Sequence, residues 1–398
     1  MRSPDPNLPY IDLASPNFST RSRAVNDARD SHWCARTPYG LAVLRHRQVG
    51  LLLRDPRLRQ GSYSWPDTNR LQGSFAAFWK RSIISQEGDL HRRLRQIAIA
   101  ALSPDYIATL KPRFDTLAET LADQLVAQGT CEFMADFCTP FAGQAICTLL
   151  GLPLQHWHAL ASDASDLGLA MGVECKRHEA VYNAACDRLM ALADVLIAEA
   201  RAGGEPAAYV ARLVTLFDRE AGLEEQHLRD LVLISIFGGV DTTRSQLGLA
   251  IGQFIDHDDQ WQALREDPGL VGQAVEECIR ANPTTTWATR EAIEDFVFEG
   301  EAIGRGETLH MLVHASARDP AVCENDRFDI RVRRKVHFGF GGGAHHCIGH
   351  LVARTDIASA LLALSQRVTR FSYCGEPHWL PDSGNTGPVR LPLQCHAA

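Results

Sequence analysis

The hydrophobic pattern divides the chain into a long helical stretch framed by shorter mixed segments. Residues 36–59 predict a short strand over Leu41–Leu44 and then a helix that Asp55-Pro56 ends, because the residue before a proline is pushed out of the helical region. From about residue 91 to 280 the apolar residues recur mainly at the spacing of one helical face. "SPDYIATLKPRFDTLAETLADQLVAQG" opens on Ser103, a residue suited to cap a helix N-terminus. A further helix covers roughly 178–202 and stops at Gly203-Gly204. Segment 224–257 differs from these. It is apolar almost all round in its middle, which predicts a helix crossing the core. Short, turn-rich strands follow near 285–315, "FVFEGEAIG" among them, and a last helix is expected over Gly349–Ser365. There is no repeat, low-complexity tract or long linker. The expectation is a mainly α fold with a small β portion, with residues 1–398 forming one domain.

Composition removes several function classes. A chain of 398 residues, 45% hydrophobic and 22% charged, has ample material for a core. Its formal charge of −8 argues against a nucleic-acid partner, whose electrostatic footprint would be basic. No run approaches the roughly 18 apolar residues of a membrane span, and the first residues lack the apolar core of an export signal. The eleven cysteines are odd in number and scattered, which fits reduced thiols in a cytoplasmic chain. A functional cysteine therefore has to be picked out by its neighbours.

One loop supplies such neighbours. Residues 337–350 read "HFGFGGGAHHCIGH". Gly339-x-Gly341-x-x-Ala344 matches a dinucleotide fingerprint, but that motif needs a parallel βαβ unit that the surrounding pattern does not offer. His345, His346, Cys347 and His350 would suit zinc, yet no second Cys/His cluster is evident. A single haem-iron thiolate is the third possibility. Such a sulfur needs backbone N–H groups aimed at it and a backbone that approaches a flat macrocycle closely. Glycine permits both, and a helix starting after Cys347 would stabilise the thiolate through its positive end.

The order Phe340-x-x-Gly343-x-His345-x-Cys347-x-Gly349 resembles the haem loop of the cytochrome P-450 superfamily, the haem-thiolate monooxygenases. The resemblance extends from about residue 8 to 393 and is greatest to soluble bacterial members. It implies a triangular-prism fold with a long central helix over haem b. Cys347 would be the iron ligand, with Phe340 packed against the sulfur side and Gly349 among the cofactor-binding residues. His345, the His91/Arg95 pair and Arg290 would hold the haem propionates. Glu277 and Arg280 would form a structural ion pair completed by Arg327 from a later meander.

In the central helix, Gly238-Gly239-Val240-Asp241-Thr242 would be the oxygen-activating segment, where the helix opens locally. Two adjacent glycines cost about 1 kcal/mol each inside a helix, so they call for a reason. Thr242 would hydrogen-bond dioxygen or an ordered water, and Asp241 would relay the two protons the reaction consumes. The implied activity is insertion of one oxygen atom of O2 into a small-to-medium hydrophobic or aromatic substrate of secondary-metabolite or polyketide type, free or carrier-bound. Electrons would come from NAD(P)H through ferredoxin reductase and ferredoxin, docked on the basic run Arg331, Arg333, Arg334 and Lys335. Pocket walls are expected from Trp65, Phe75, Phe78, Trp79, Phe237, Gly238, Thr285, Trp287 and Asn385, with Arg81, Thr284 and Thr286 as polar candidates. Peroxide-driven oxidation, oxidative coupling and a non-catalytic haem sensor are the competing functions. A sensor would not need Thr242.

Overall fold

The computed structural model describes residues 8–172, 174–203 and 208–398 of the chain. The expected central helix is Glu225–Asp256. Its start is fixed by a reciprocal cap, in which the Glu224 side chain and the His227 ring each bond the other's backbone N–H. Buried residues lie on every side of it, from Leu228 and Leu231 through Val240 to Leu247, Ile251 and Phe254, so it runs through the core as its sequence requires. Helix Thr139–Leu150 packs on its middle, and Glu179–Arg201 packs on its first half.

The C-terminal helix, His350–Arg367, lies along Pro104–Gln128. The Ser103 hydroxyl caps the latter as expected, accepting from the Tyr106 N–H. Helix Gly88–Ala101 precedes it and carries His91 and Arg95.

Among the described residues the β portion is a five-stranded mixed sheet with three smaller sheets. Its strands run in the order Cys34–Thr37, Gly40–Val43, Thr308–Leu312, Trp287–Ala292, Leu58–Gln60. Only Gly40–Val43 and Thr308–Leu312 pair in parallel; the other neighbours are antiparallel. The observed strand thus lies one residue before the expected Leu41–Leu44, and helix His46–Leu52 follows it. A three-stranded sheet joins Thr130–Glu132, Pro392–Ala397 and Val368–Tyr373. No helix among the described residues is long and apolar enough to cross a membrane.

The central helix does not open. It is helical through Gly238 and Gly239, and Thr242 Oγ1 donates to the Gly238 carbonyl at 2.5 Å, one turn back. The two glycines also part company. A Cβ on Gly239 would meet Ile146 Cδ1 at 2.7 Å, so this glycine admits the crossing helix Thr139–Leu150. A Cβ on Gly238 would meet nothing within 4 Å, and Gly238 is exposed in a helix whose flanks are buried.

Candidate haem-thiolate site

The loop ahead of His350–Arg367 is held by its glycines against protein. Gly341 and Gly343 sit at φ of 67° and 68°, where side chains are rarely tolerated. A Cβ on Gly343 would lie 2.2 Å from the Leu53 carbonyl oxygen, and one on Gly339 would lie 2.4 Å from Ile279 Cγ2. These two glycines therefore bring the loop onto its neighbours and do not make room for a macrocycle.

Cys347 closes the loop, with its N–H donating to the Phe340 carbonyl at 2.9 Å. Of the eleven cysteines only Cys347 and Cys374 are exposed. Cys347 is also enclosed by enough protein that desolvation raises its thiol pKa. Open surface combined with dense surroundings marks a recess within the molecule. The Gly349 N–H and the charges of Arg95 and Arg354 oppose the burial effect by favouring the thiolate. Phe340 lies under the Arg354 guanidinium, 4.4 Å from its ring centre, and near the rings of His346 and His350.

His91, Arg95, Arg290 and His345 come together as expected. The His91 and His345 rings stack at 4.3 Å between centres. Burial, with His345 next, lowers the His91 pKa to about 4. His345 Nε2 lies 2.9 Å from Glu87 Oε1, which also accepts the Gln60 N–H at 2.8 Å. Arg95 donates to the His346 carbonyl, and Arg290 donates to Gln60 and to the Gly342 carbonyl. Glu87 and Gln60 were absent from the sequence reading. The one signal was an acid directly before the positive-φ Gly88 that starts the His91 helix.

Arg290 is 3% exposed and its pKa is lowered by burial to about 10. Among the described residues neither Arg95 nor Arg290 has a carboxylate within ion-pair distance. Leaving a buried cation unpaired is costly, so this cluster is built for an anion. The two carboxylates of a haem satisfy it, and the neighbouring thiol suits the iron. The residues present fit the cofactor.

The other two readings of the loop fail on geometry. No strand leads into it and no parallel βαβ unit surrounds it, as the dinucleotide motif would need. The metal-capable cluster among the described residues is Glu87, His91 and His345, without Cys347, while His346 and His350 face Phe340.

A family model described as cytochrome P-450 matches residues 173–374. Luteothin monooxygenase of Streptomyces thioluteus is 35% identical over 98% of this chain and 97% of its own length. The chain belongs to the cytochrome P-450 family. Mycinamicin IV hydroxylase/epoxidase of Micromonospora griseorubida is 30% identical over 90% of this chain and 91% of its own. The crystal structure of CalO2 superposes with a TM-score of 0.84 at 27% identity, covering 96% of this chain and 99% of that one. This cytochrome P-450 is accordingly a monooxygenase, and proteins of its family bind haem through a cysteine thiolate.

The buried ion pair has one member different from expectation. Arg280 Nε and Nη2 each donate to Glu277 at 2.7 Å, with both side chains almost wholly buried. Arg327 is not the third member. It is exposed and pairs with Asp259 at 3.1 Å, while Arg334 Nε stands 3.6 Å from Glu277. The Asp329 N–H also donates to Glu277. Arg327 follows an Asn325 turn that directs its side chain outward, whereas Arg334, read as surface charge, turns in. Its Nη2 donates to the Arg327 carbonyl and ties the meander to the pair.

The substrate-wall residues also sort out differently. Phe75 and Phe78 are 0% exposed and pack in the main core with Trp79 and Tyr182, so they offer a substrate no surface. Trp287 turns to Phe18 and His310, six ångströms away or less, on the strand face opposite Arg290. Arg81 is tied to buried Asp230, and the hydroxyls of Thr284 and Thr286 bond the 384–386 backbone. Trp65, Phe237, Gly238, Thr285 and Asn385 remain at least partly exposed. Trp65 Nε1 donates to the Ala170 carbonyl, Trp79 lies edge-on to Phe237, and Thr285 bridges to Asn385.

Proposed function

We propose that this chain inserts one oxygen atom of O2 into a hydrophobic or aromatic natural product of polyketide type, using a haem b held by Cys347. The observation that carries this reading is the recessed, exposed thiol of Cys347 beside two cations without a carboxylate partner, half-buried Arg95 and buried Arg290. Support for the substrate class comes from the relatives named for luteothin and mycinamicin IV and from a Bacillus subtilis relative named for polyketide biosynthesis. The aromatic surfaces of Trp65 and Phe237 suit such a ligand.

When bound, the haem supplies the activation of dioxygen and the oxidation of a C–H bond. The chain's own residues do the rest. Arg95, Arg290, His91 and His345 hold the propionates by charge-assisted hydrogen bonds. The Gly349 N–H, the charges of Arg95 and Arg354 and the start of helix His350–Arg367 favour the thiolate of Cys347 against the burial that raises its pKa. Thr242 presents a hydroxyl that both donates and accepts, and Asp241 supplies protons to it. Gly238 leaves the helix face beside Thr242 free of side chain.

Electrons enter from an acidic ferredoxin, reduced by its NAD(P)H-dependent reductase. Arg331, Arg333 and Lys335 are exposed, with Val332 43% exposed among them and Val336 77% exposed directly after. Charge around apolar knobs suits a transient partner. Arg334 is withdrawn from this set by its contact with Glu277.

The test is the spectrum of the reduced carbon-monoxide complex. Native protein gives the Soret band of thiolate ligation. Cys347→Ser, with the fold intact by circular dichroism, loses that band and all oxygenation. A variant that keeps both refutes the ligand assignment.

A further inference from the structure

Among the described residues two cations place their charge on the Cys347 thiol, Arg95 and Arg354. Arg95 belongs to the propionate cluster. Arg354 stands outside both that cluster and the Glu277–Arg280 pair, yet every nitrogen of its guanidinium is engaged. Nε and Nη2 donate to the two oxygens of Glu276 at 2.5 and 3.1 Å, and Nη1 donates to His350 Nδ1 at 2.6 Å. This two-point grip fixes the plane of the fork and keeps its carbon 4.4 Å from the Phe340 ring centre.

Glu276 joins three elements. It leaves helix Val271–Ala281 next to the buried Glu277, grips Arg354 of helix His350–Arg367, and stands 3.3 Å from His337 Nε2 at the head of the thiolate loop. His337 Nδ1 accepts the Gly339 N–H at 3.1 Å, so the loop is braced from the same carboxylate. Against its partial burial, the His337 and Arg354 contacts hold the Glu276 carboxyl at a pKa of about 2. The charge of Glu276 is not among those that reach Cys347. The thiol therefore meets the cation of this pair and not the anion.

We propose that Glu276 is a positioning residue for the reduction potential of the haem. It fixes Arg354 over Phe340, where the guanidinium faces the thiolate as an uncompensated positive charge. Uptake of one electron adds one negative charge to the site, and the guanidinium favours that reduced state. The proposal rests on the reading of Cys347 as the iron ligand. The Arg354 and Glu276 side chains are 32% and 43% exposed, so solvent screens the effect. Its expected size is about three- to tenfold in the one-electron equilibrium, or roughly 30–60 mV at 59 mV per decade.

The test is an anaerobic spectroelectrochemical titration of the substrate-free holoenzyme. Dithionite, oxidised to sulfite, gives one electron to each ferric haem and leaves it ferrous, and carbon monoxide then checks each variant for the thiolate Soret band. Arg354→Met lowers the potential by the amount given. Glu276→Ala frees the guanidinium and shifts the potential the same way, but adds nothing in the Arg354→Met background. Arg367→Met removes a cation from the far end of the same helix and leaves the native value. Arg354→Gln and Glu276→Met serve if the first variants lose their haem. A native potential in the Arg354 variants overturns the proposal, as does a native or raised one in the Glu276 variants. So does an equal drop from Glu276→Ala with and without Arg354, or a drop in Arg367→Met as large as in Arg354→Met. A native protein without the thiolate band instead overturns the ligand assignment.

Discussion

Adjacent glycines at 238 and 239 make a matched pair of perturbations whose outcomes differ in sign. Replacing a mid-helix glycine with alanine gains about 1 kcal/mol of helix propensity. At Gly238 nothing lies within 4 Å of the added methyl, so the polypeptide retains that gain. At Gly239 the methyl meets Ile146 Cδ1 at 2.7 Å and Cγ1 at 3.6 Å. Ile146 is 4% exposed, with little room to withdraw. Overpacking of this kind costs about 1–3 kcal/mol. Gly239→Ala therefore ends about 0–2 kcal/mol less stable than native, while Gly238→Ala ends up to about 1 kcal/mol more stable.

Ile146→Val removes the atom responsible. Alone it costs about 0.5–1.5 kcal/mol; combined with Gly239→Ala it relieves the clash, so the double variant is more stable than the two single changes predict. The assay is urea unfolding followed by circular dichroism, comparing midpoints at unchanged slope. Gly238→Ala should also perturb the haem spectrum or its response to ligands, because the methyl enters the free face beside Thr242. Gly239→Ala at least as stable as Gly238→Ala, or strict additivity with Ile146→Val, refutes the division of roles between the two glycines.

Two further outcomes follow from buried charge. Arg334→Gln should cost about 1.5–3 kcal/mol, since it removes a largely buried cation from Glu277. Arg327→Gln should change stability by no more than about 0.5 kcal/mol, because that arginine and Asp259 are both more than half exposed; equal losses in urea unfolding would contradict the reassignment. Asp356 is 4% exposed, one of its oxygens has no partner, and burial pushes its pKa well above the carboxylate range against the Ile357 N–H and the Thr243 hydroxyl. A folded-state pKa above the unfolded one makes the folded protein hold the extra proton, so stability falls as pH rises past about 4. Asp356→Asn removes that dependence, and its advantage over native should be absent near pH 4 and grow toward neutrality. An advantage independent of pH would show that Asp356 ionises normally.

The sequence disclosed most where a residue type is nearly forced by its role. A helix apolar on all sides has to be buried, and Glu225–Asp256 is. A thiol among glycines before a helix start has few uses, and Cys347 is the cysteine that is both enclosed and open. His91, Arg95, Arg290 and His345 were legible one by one because a motif spaces each of them. Glu87 and Gln60 were not, since each acts through a contact that only the folded chain makes. Direction was the other hidden quantity. Aromatic residues on helix Ser74–Arg81 could line a pocket or fill the core, and for Phe75 and Phe78 the core wins through Trp79 and Tyr182.

The meander shows the same limit from the other side. Composition cannot distinguish an arginine that faces a ferredoxin from one that faces Glu277. In the run Arg331–Lys335 the turn after Asp329 sends Arg334 inward and leaves its neighbours out. The consequence is physical coupling. The run expected to dock the electron donor also ties, through Arg334, to the buried pair on helix Val271–Ala281, and that helix supplies the Ile279 surface against which Gly339 seats the thiolate loop. Neutralising Arg331 or Arg333 should therefore alter partner binding alone, whereas Arg334 cannot be changed without also loosening the support of Cys347.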